Sequence, residues 1–323
     1  MRSRFLRPSR LPAFLLIRSR SRRTAWNRYM SFCKRAAGGQ PERGTLWAMC
    51  GRFSQEAELS EIKLELKVEQ LQLFREFRRA YNIAPSYGPG SEQAFVLQTR
   101  EGQRAIRLGR WWMIPHFWSK PLKALPAAFN ARSEELSQKP FWREAFRHQR
   151  CLVPATGWRE FRAEGKVKQP YQFRLSQRLF AFAGLWSRWT SPDGELVDSF
   201  SIVTTEPNAI AAEYHDRMPL VLGPDLYDRW LDPGADAAAL LVEARARATS
   251  LALDVYPTNP LGNNVRFEGP EVVERFDPTQ LRAQQPLPAS RRAPAPALPP
   301  PAQQSLFGET EASPKPSRKR ARS

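Results

Sequence analysis

The stretch Met49-Cys50-Gly51-Arg52-Phe53 marks the boundary between two parts of the chain that differ in charge. If translation begins at Met49 and the methionine is removed, Cys50 carries a thiol and a free α-amine on adjacent carbons. Their reference pKa values, about 8.5 and about 7.7–8.0, leave both groups partly nucleophilic near neutral pH. Such an aminothiol condenses with an aldehyde to a Schiff base, and the thiol then closes a thiazolidine ring. The alternative is an internal Cys50 that serves as a small buried apolar residue.

Charge is distributed unevenly along the 323 residues, which carry a formal net charge of +18. Residues 1–48 hold 12 Lys or Arg and one acidic residue, and residues 281–323 hold 8 Lys or Arg and two acidic residues. The body between them, residues 49–280, has 30 basic and 29 acidic residues and is nearly neutral. A nucleic-acid contact on the body must therefore be a local patch, because the net charge reflects the two ends.

Neither end of the chain has the composition of a folded core. Residues 1–48 are rich in Arg and contain one short apolar run, Leu11–Ile17. They fit a transit-type or secretory presequence, or a segment upstream of the true start that is not translated. We favour the last interpretation and expect this extension to be absent from the active protein or removed from it. Residues 281–323 are dominated by Pro, Ala, Gln, Arg and Ser, which predicts a disordered tail.

One segment of the tail, Gln303-Gln304-Ser305-Leu306-Phe307, is similar to the short Gln-x-x-Leu-Phe peptide with which bacterial replication and repair proteins bind the sliding clamp. A disordered chain can place Leu306 and Phe307 in an apolar pocket, while Gln303 makes a polar contact at the edge. The alternative is a chance match in a Gln-rich segment.

The body contains both helical and strand patterns. An amphipathic repeat predicts a helix within residues 54–80. The other predicted elements, in chain order, are strands at 93–98 and 105–114, a short helix at 140–147, strands at 151–154, 169–175, 179–185, 199–204 and 219–222, helices at 224–231 and 235–247, and a strand at 253–256. No run of about 18 apolar residues occurs, so we expect no membrane span. Three cysteines make neither a disulfide framework nor a zinc-site spacing, and a reducing compartment is the natural interpretation.

Residues suited to covalent catalysis stand at four places in the body: Cys50, Asn130, Glu160 and His215. A cysteine, a histidine and a carboxylate together make a nucleophile with acid–base helpers. Each residue also has a structural explanation when taken alone. Glu160 fits an exposed strand position, Asn130 a turn, and a lone histidine is more often structural than catalytic.

Taken together, five motifs in this order identify a family. They are Met49-Cys50-Gly51-Arg52-Phe53, Asn82-Ile83-Ala84-Pro85, Asn130-Ala131-Arg132, Gly157-Trp158-Arg159-Glu160 and His215-Asp216-Arg217-Met218-Pro219. They resemble the motifs of the SOS-response-associated peptidase family, the abasic-site sensors of single-stranded DNA. The resemblance covers about residues 49–270. It implies an α+β fold, a single domain on a curved, mainly antiparallel, barrel-like β-sheet with surrounding helices.

The resemblance also implies chemical roles for the four catalytic candidates. Cys50 looks like the N-terminal nucleophile that traps the ring-opened aldehyde of an abasic site as a thiazolidine DNA–protein crosslink. Glu160 looks like the general acid–base group. His215 is implied to assist sugar ring opening and Schiff-base formation, and Asn130 to position the sugar and the cysteine. A retained extension would block the α-amine of Cys50 and prevent this chemistry.

Six further residues are implied to contact DNA: Arg52, Asn82, Trp118, Arg132, Phe161 and Arg217. Arginine forks suit phosphates. Aromatic rings that stack on the bases flanking the lesion bind without sequence preference, as a lesion sensor requires. Phe161 replaces the tryptophan that we expect after the glutamate, so its stacking role is the less typical of the two aromatic assignments.

We therefore expect a monomeric enzyme that binds abasic single-stranded DNA, needs no cofactor or metal, and works in the cytoplasm in association with the nucleoid. Two other hypotheses stay open. One is a thiol peptidase or amidohydrolase of the N-terminal-nucleophile type, including self-cleavage of the Met49–Cys50 bond. The other is a single-stranded DNA-binding module with no covalent step. A heat-stable DNA adduct that is lost in Cys50→Ala would support covalent trapping of abasic sites. Neither the peptidase nor the binding module predicts such an adduct.

Overall fold

Most strands predicted from the sequence are present and build two β-sheets. A computed structural model of the chain describes residues 50–72, 76–164 and 167–279, and these ranges contain fourteen strands and four α-helices. The strands are β1 (Phe53–Gln55), β2 (Gln70–Gln72), β3 (Ala80–Ile83), β4 (Glu92–Gln98), β5 (Arg104–Trp111), β6 (Asn130–Arg132), β7 (Arg150–Ala155), β8 (Gly157–Glu164), β9 (Val167–Arg174), β10 (Phe180–Thr190), β11 (Leu196–Thr205), β12 (Met218–Pro219), β13 (Val221–Leu222) and β14 (Asp254–Pro257). The helices are α1 (Leu59–Glu65), α2 (Pro140–His148), α3 (Tyr227–Leu231) and α4 (Ala237–Ala248).

The larger sheet closes on itself as a five-stranded barrel in the order β11-β10-β7-β4-β5. The pairs within this series are antiparallel, and a parallel pairing of β11 with β5, at Ser199–Arg110 and Phe200–Trp111, completes the ring. Both sheets belong to one compact unit that ends at Pro278. The predicted fold class, a single α+β domain on a barrel-like, mainly antiparallel sheet, is confirmed.

The smaller sheet is antiparallel, in the order β14-β9-β8-β1-β3, and β1 is held between β8 and β3. Phe53 connects this sheet to the barrel core, because its ring packs edge-on against Trp111 at 4.9 Å and against Phe182 at 6.1 Å. Aromatic pairs at such distances add to the stabilisation from burial alone. The position of the residues just before Phe53 is therefore fixed by the core.

The helices cover the barrel and bury apolar faces. On α2, Pro140 occupies the first turn, where its missing N–H is not needed, and Phe141, Trp142 and Phe146 are buried. On α4, the Asp236 side chain accepts hydrogen bonds from two backbone N–H groups of the first turn, at 3.0 and 3.1 Å. In the described part of the chain, no helix is long and apolar enough to cross a membrane.

The amphipathic pattern over residues 54–80 was only partly a helix. Helix α1 stops at Glu65, because Lys67 adopts a positive φ of 49° that a right-handed helix cannot continue through. The chain then enters β2, which pairs with the barrel strand β5. Leu64 and Leu71 belonged to the apolar repeat, yet their side chains are 82% and 49% exposed. The repeat therefore overstated the length of the helix.

Gly157, at the start of β8, allows a close approach that no larger residue permits. A Cβ atom built there would lie 2.1 Å from Gln172 Nε2 and 2.7 Å from the backbone oxygen of Phe173. Because the second atom belongs to the paired strand, the contact is relieved only by moving β9. We expect Gly157→Ala to lower the free energy of unfolding by about 1–3 kcal/mol. Urea denaturation measures this.

The matched control for that change is Gly88→Ala, where the nearest atom, Ser86 Oγ, lies 3.4 Å from the added Cβ, an ordinary contact. Its unfolding free energy should stay close to that of the wild type. Equal stabilities for the two variants would contradict the packing described for β8 and β9.

Candidate active site

The candidate site forms where the start of β1 approaches the end of β11. Strand β6 pairs in parallel with one side of β11, matching Ile202 with Asn130, and β12 pairs with the other side, matching Thr205 with Met218. These two short strands bring Asn130 and the segment that precedes Met218 to the same end of the barrel strand. Backbone hydrogen bonds to β11 hold β6 and β12 in place, and this restricts the positions of Asn130 and of the segment before Met218.

Glu160 reaches the same place through the smaller sheet. Strand β1 pairs with β8 at Phe53–Trp158 and Ser54–Gly157, and the Arg159 N–H donates to the backbone oxygen of Arg52 at 3.0 Å. Continuing this antiparallel register places Cys50 beside the segment that carries Glu160. Neither β6 nor β8 was among the strands predicted from sequence, although both carry predicted catalytic residues.

Cys50 is held at both its thiol and its backbone. The thiol donates to the backbone oxygen of Arg217, with Sγ 3.1 Å from that oxygen, and Asn130 Nδ2 donates to the backbone oxygen of Cys50 at 2.7 Å. The residue is 3% exposed. The Asn130 amide therefore contacts the backbone of the nucleophile candidate, and its second amide atom, Oδ1, has no hydrogen-bond partner among the described residues.

The structure brings three of the four predicted catalytic residues into one cluster. Cys50 Sγ, a carboxylate oxygen of Glu160 and a ring nitrogen of His215 all lie within 4.8 Å of one another. These are also the residues that could ligate a metal ion. Glu160 is 3% exposed, and its Oε1 is buried with no hydrogen-bond partner in the part of the chain that the structure describes. An oxygen in that condition is available to a substrate or ion that enters the site.

Burial determines the protonation state of the Glu160 carboxyl and of the Cys50 thiol. It raises the pKa of Glu160 to about 8, so the carboxyl holds its proton near neutral pH. It also raises the pKa of Cys50 well above its ordinary value, and the neighbouring Glu160 carboxylate raises it further. The resting site therefore contains a neutral carboxylic acid beside a neutral thiol. A neutral acid can donate a proton to a leaving hydroxyl, which a carboxylate cannot do.

His215 is oriented by its own loop. Its Nδ1 accepts a hydrogen bond from the Arg217 N–H at 2.9 Å and lies 3.0 Å from Asp216 Oδ1. The side chain is 12% exposed, so one part of the ring stays in reach of solvent or substrate. The ring is therefore placed to exchange protons with a molecule that enters the cluster.

The Arg217 side chain binds other residues of the protein. Its guanidinium forms a two-pronged ion pair with Glu134, with N–O distances of 3.3 and 3.0 Å, and it donates to the backbone oxygen of Thr204 at 2.6 Å. The family resemblance implies a phosphate contact for Arg217 and no role for Glu134. Glu134 lies two residues after Arg132, the last residue of the third motif. Its closeness to that motif was a signal in the sequence, but the sequence does not show that it pairs with Arg217.

Arg52 and Asn82 are also engaged internally. The Arg52 guanidinium donates to Asn82 Oδ1 at 2.6 Å and to the backbone oxygen of Gly262 at 2.9 Å. Arg159, which the sequence analysis left without a role, donates to the same Asn82 oxygen at 2.9 Å. Burial lowers the pKa of Arg52 to about 10 and that of Arg159 to about 9, so both remain charged near neutral pH. Asn82 thus connects the strand that follows Cys50 with the strand that carries Glu160.

The remaining predicted DNA contacts differ in exposure. Trp118 is 4% exposed and packs in the core, where its backbone oxygen accepts from Trp189 Nε1 at 2.7 Å. Phe161 is half-buried, with Lys168 Nζ 4.7 Å from the ring centre. Arg132 is exposed and has no side-chain hydrogen bond or ion pair with a residue that the structure describes. Of the six, Arg132 and Phe161 are the most accessible to a ligand.

Three predicted features lie outside the described residues. They are the extension 1–48, Met49 itself and the segment Gln303–Phe307. The expected free α-amine of Cys50 and the clamp contact therefore stay predictions from sequence.

Comparison with known proteins identifies a family and a shared fold. The family model described as SOS response associated peptidase (SRAP) matches residues 49–265. Abasic site processing protein YoqW of Bacillus subtilis (strain 168) is 34% identical over 230 residues, which cover 70% of this chain and 99% of YoqW. Abasic site processing protein HMCES of Xenopus tropicalis is 27% identical over 236 residues, covering 64% and 69%. A crystal structure of a Bacteroides thetaiotaomicron protein has the same fold, with a TM-score of 0.60 at 24% identity, covering 70% of this chain and 100% of that one.

The Arg217–Glu134 pair should contribute measurably to stability. Replacing Glu134 by Gln removes the countercharge of an arginine whose side chain is only 12% exposed. We expect the free energy of unfolding to fall by about 1–2 kcal/mol, the range for a hydrogen-bonded charged partner. Chemical denaturation of the purified variant measures the change.

Glu243→Gln is the control, because Glu243 pairs with Arg229 and Arg247, whose side chains are 54% and 45% exposed. Exposed pairs contribute about 0–1 kcal/mol, so this variant should be close to wild type. A smaller loss for Glu134→Gln than for Glu243→Gln would show that Arg217 does not depend on Glu134.

Proposed function

The chain belongs to the SOS response associated peptidase (SRAP) family, and from this premise we propose that it processes abasic sites in single-stranded DNA by forming a thiazolidine through Cys50. The observation that carries the proposal is the cluster of Cys50, Glu160 and His215 within 4.8 Å, with Asn130 bound to the Cys50 backbone. The relatives named above supply the abasic site as the lesion. The single strand and the covalent bond are inferred from the chemistry of the cluster and the family motifs.

The first step of the proposed reaction is imine formation. The Cys50 α-amine attacks the aldehyde carbon of the ring-opened sugar, and the resulting carbinolamine loses water to give a Schiff base. Glu160, which holds its proton because it is buried, donates that proton to the leaving hydroxyl. His215 accepts or returns protons during ring opening and amine attack.

The second step closes the ring. The Cys50 thiol adds to the imine carbon, so that a C–S bond forms and the imine nitrogen gains a hydrogen, with no further leaving group. The thiol and the amine belong to the same residue, so the addition is intramolecular and needs little reorganisation. The hydrogen bonds from the thiol to Arg217 and from Asn130 to the Cys50 carbonyl orient the residue for both steps.

The proposal requires Cys50 to be the first residue of the active protein. Two routes would produce it: initiation at Met49 with methionine removal, or self-cleavage of the Met49–Cys50 bond by the Cys50 thiol with Glu160. In either case the active species lacks residues 1–48. An intact-mass measurement of crosslinking-competent protein reports its first residue directly, and a fully retained extension would contradict this requirement.

Variants of Glu160 and His215 should change the rate of adduct formation without changing the affinity for DNA. We expect Glu160→Gln and His215→Ala to slow adduct formation with an abasic oligonucleotide by about 10²-fold or more, the range for loss of an acid–base group. Affinity for the undamaged strand should change less than about threefold, because neither side chain provides a phosphate contact. Denaturing gels give the rate, and fluorescence anisotropy gives the affinity.

The same gels distinguish the rival activities. His116→Ala, an exposed histidine outside the cluster, is the control and should crosslink at the wild-type rate. Release of a peptide or amide product without an adduct would favour the thiol-peptidase hypothesis. Binding with no adduct at any time would favour a non-covalent module.

The DNA backbone contact should depend on Arg132. Its side chain is exposed and unpaired among the described residues, in contrast to Arg52 and Arg217. Removal of one phosphate contact should reduce the slope of log affinity against log salt by about 0.7 for a single strand. We therefore expect Arg132→Ala to weaken binding in low salt and to flatten its salt dependence.

Arg143→Ala is the control for this measurement, because Arg143 is an exposed arginine on α2 outside the site. The control corrects for the general loss of one positive charge. Identical slopes for the two variants would remove Arg132 from the DNA track.

A second partner is proposed from sequence alone. Gln303–Phe307 would tether the protein to the sliding clamp and so raise its local concentration at replicating DNA. A peptide of residues 298–312 should bind the clamp. Substituting Leu306→Ala together with Phe307→Ala should abolish that binding, and equal binding by both peptides would contradict the tether.

A further inference from the structure

We propose that Cys50, Glu160 and His215 form a binding site for Zn²⁺ or a similar borderline divalent metal ion, and that the bound metal prevents Cys50 from reacting with an aldehyde. In the described ranges, this is the one group of three Cys, His or acidic side chains whose ligand atoms lie within 4.8 Å of one another. Two of the three residues are buried and His215 is half-buried, which distinguishes the group from exposed acidic clusters.

The spacing of the three atoms is close to that of a metal site. Tetrahedral zinc, with bonds of about 2.0–2.3 Å to oxygen, nitrogen and sulfur, holds its ligand atoms about 3.3–3.8 Å apart. The present separations of up to 4.8 Å therefore need to shorten by about 1.5 Å at most. Side-chain rotation can supply this while the backbones stay in place, since Glu160 lies in β8 and the backbone oxygen of Cys50 is held by Asn130.

The donor set selects the kind of metal. A thiolate, an imidazole and a carboxylate suit zinc, whereas Mg²⁺ and Ca²⁺ prefer sites made of oxygen alone. Three protein ligands leave a fourth position open. In a protein that begins at Cys50, the α-amine of the same residue can fill that position, and it would form a chelate ring with the thiolate.

Independent evidence comes from the unsatisfied oxygen of Glu160. Its Oε1 is buried and has no hydrogen-bond partner in the described part of the chain, although a buried carboxyl oxygen normally has one. A metal ion in the cluster would satisfy this atom without any rearrangement of the strands. Ligand binding, whether of a metal or of the lesion, accounts for an oxygen left in that state.

The surroundings of His215 also suit a metal ligand. Metal-bound histidine usually donates its other ring N–H to a carboxylate or a backbone oxygen. Binding through Nε2 would place the ring proton on Nδ1. The hydrogen bond that Nδ1 accepts from the Arg217 N–H would then be replaced by one donated to Asp216 Oδ1, 3.0 Å away, or to the backbone oxygen of Arg217, 3.1 Å away. Both acceptors are already in position around the ring.

Metal occupancy would act as a reversible block on the proposed function. When Cys50 is the first residue and its α-amine binds the metal, the single lone pair of the amine lies in the metal–nitrogen bond. The amine therefore cannot attack the aldehyde until the metal leaves. This competition depends on the proposed crosslinking by Cys50, whereas metal binding itself does not. The two parts can therefore be tested separately.

Cobalt(II) is a direct probe of the metal site, because it replaces zinc and absorbs light. Metal-free protein titrated with Co²⁺ should take up one equivalent and develop a thiolate-to-cobalt band in the near ultraviolet together with visible bands of tetrahedral cobalt. Zn²⁺ should displace the colour. Cys50→Ser should lose the ultraviolet band, and Glu160→Gln and His215→Ala should weaken Co²⁺ binding by at least about tenfold.

Two controls test a thiol and a histidine that lie outside the cluster. Cys151→Ala changes a core cysteine, and His116→Ala changes an exposed histidine, so both should bind Co²⁺ as the wild type does. The metal site is overturned if the wild-type protein develops no thiolate–cobalt band, if the band survives Cys50→Ser, or if Glu160→Gln and His215→Ala bind Co²⁺ as tightly as the controls.

Crosslinking assays test the block. One equivalent of Zn²⁺ should slow adduct formation at least tenfold, and a chelator should restore it. Undiminished crosslinking by protein that carries zinc at Cys50 would overturn the block. If no adduct forms with or without metal, the proposed function fails, while the cobalt titration still decides the metal site.

Discussion

The pairings of β11 are the constraint on which both the barrel and the candidate site depend. Near its middle, β11 pairs in parallel with β5 and closes the barrel at Ser199 and Phe200. A few residues further on, it holds β6 on one side and β12 on the other. The same strand therefore completes the core and delivers Asn130 and Arg217 to Cys50. A change that loosens this strand would disturb the fold and the chemistry together.

A buried polar network fixes the opposite side of the site. Arg52 follows Cys50 by two residues, Arg159 directly precedes Glu160, and both guanidinium groups donate to the same oxygen of Asn82. Buried arginines that hydrogen-bond to amide and backbone oxygens keep their charge but lose contact with solvent. Their positive charge therefore lies beside the chain segments that carry Cys50 and Glu160.

The sequence was informative where the chemistry of a residue is distinctive. Cys50, Glu160 and His215 were predicted to be a nucleophile with acid–base helpers, and the structure places the three side chains within 4.8 Å of one another. It was less informative about residues whose role depends on distant partners. Arg52, Asn82 and Arg217 were predicted to contact DNA. Their partners within the protein are 13 to 211 residues away, and no local pattern reveals them. Strand β6 was missed because it has only three residues, and β8 was missed because its polar residues hide the alternation expected of a strand.

The location of the covalent bond tests the account most directly. Protein incubated with an abasic single-stranded oligonucleotide would be digested with protease and nuclease, and the modified peptide would be sequenced by mass spectrometry. The account predicts a peptide that begins at Cys50 and carries the sugar remnant on that residue, with the mass of peptide plus aldehyde less one water. A remnant on a lysine, or on a peptide in which Met49 still precedes Cys50, would contradict it.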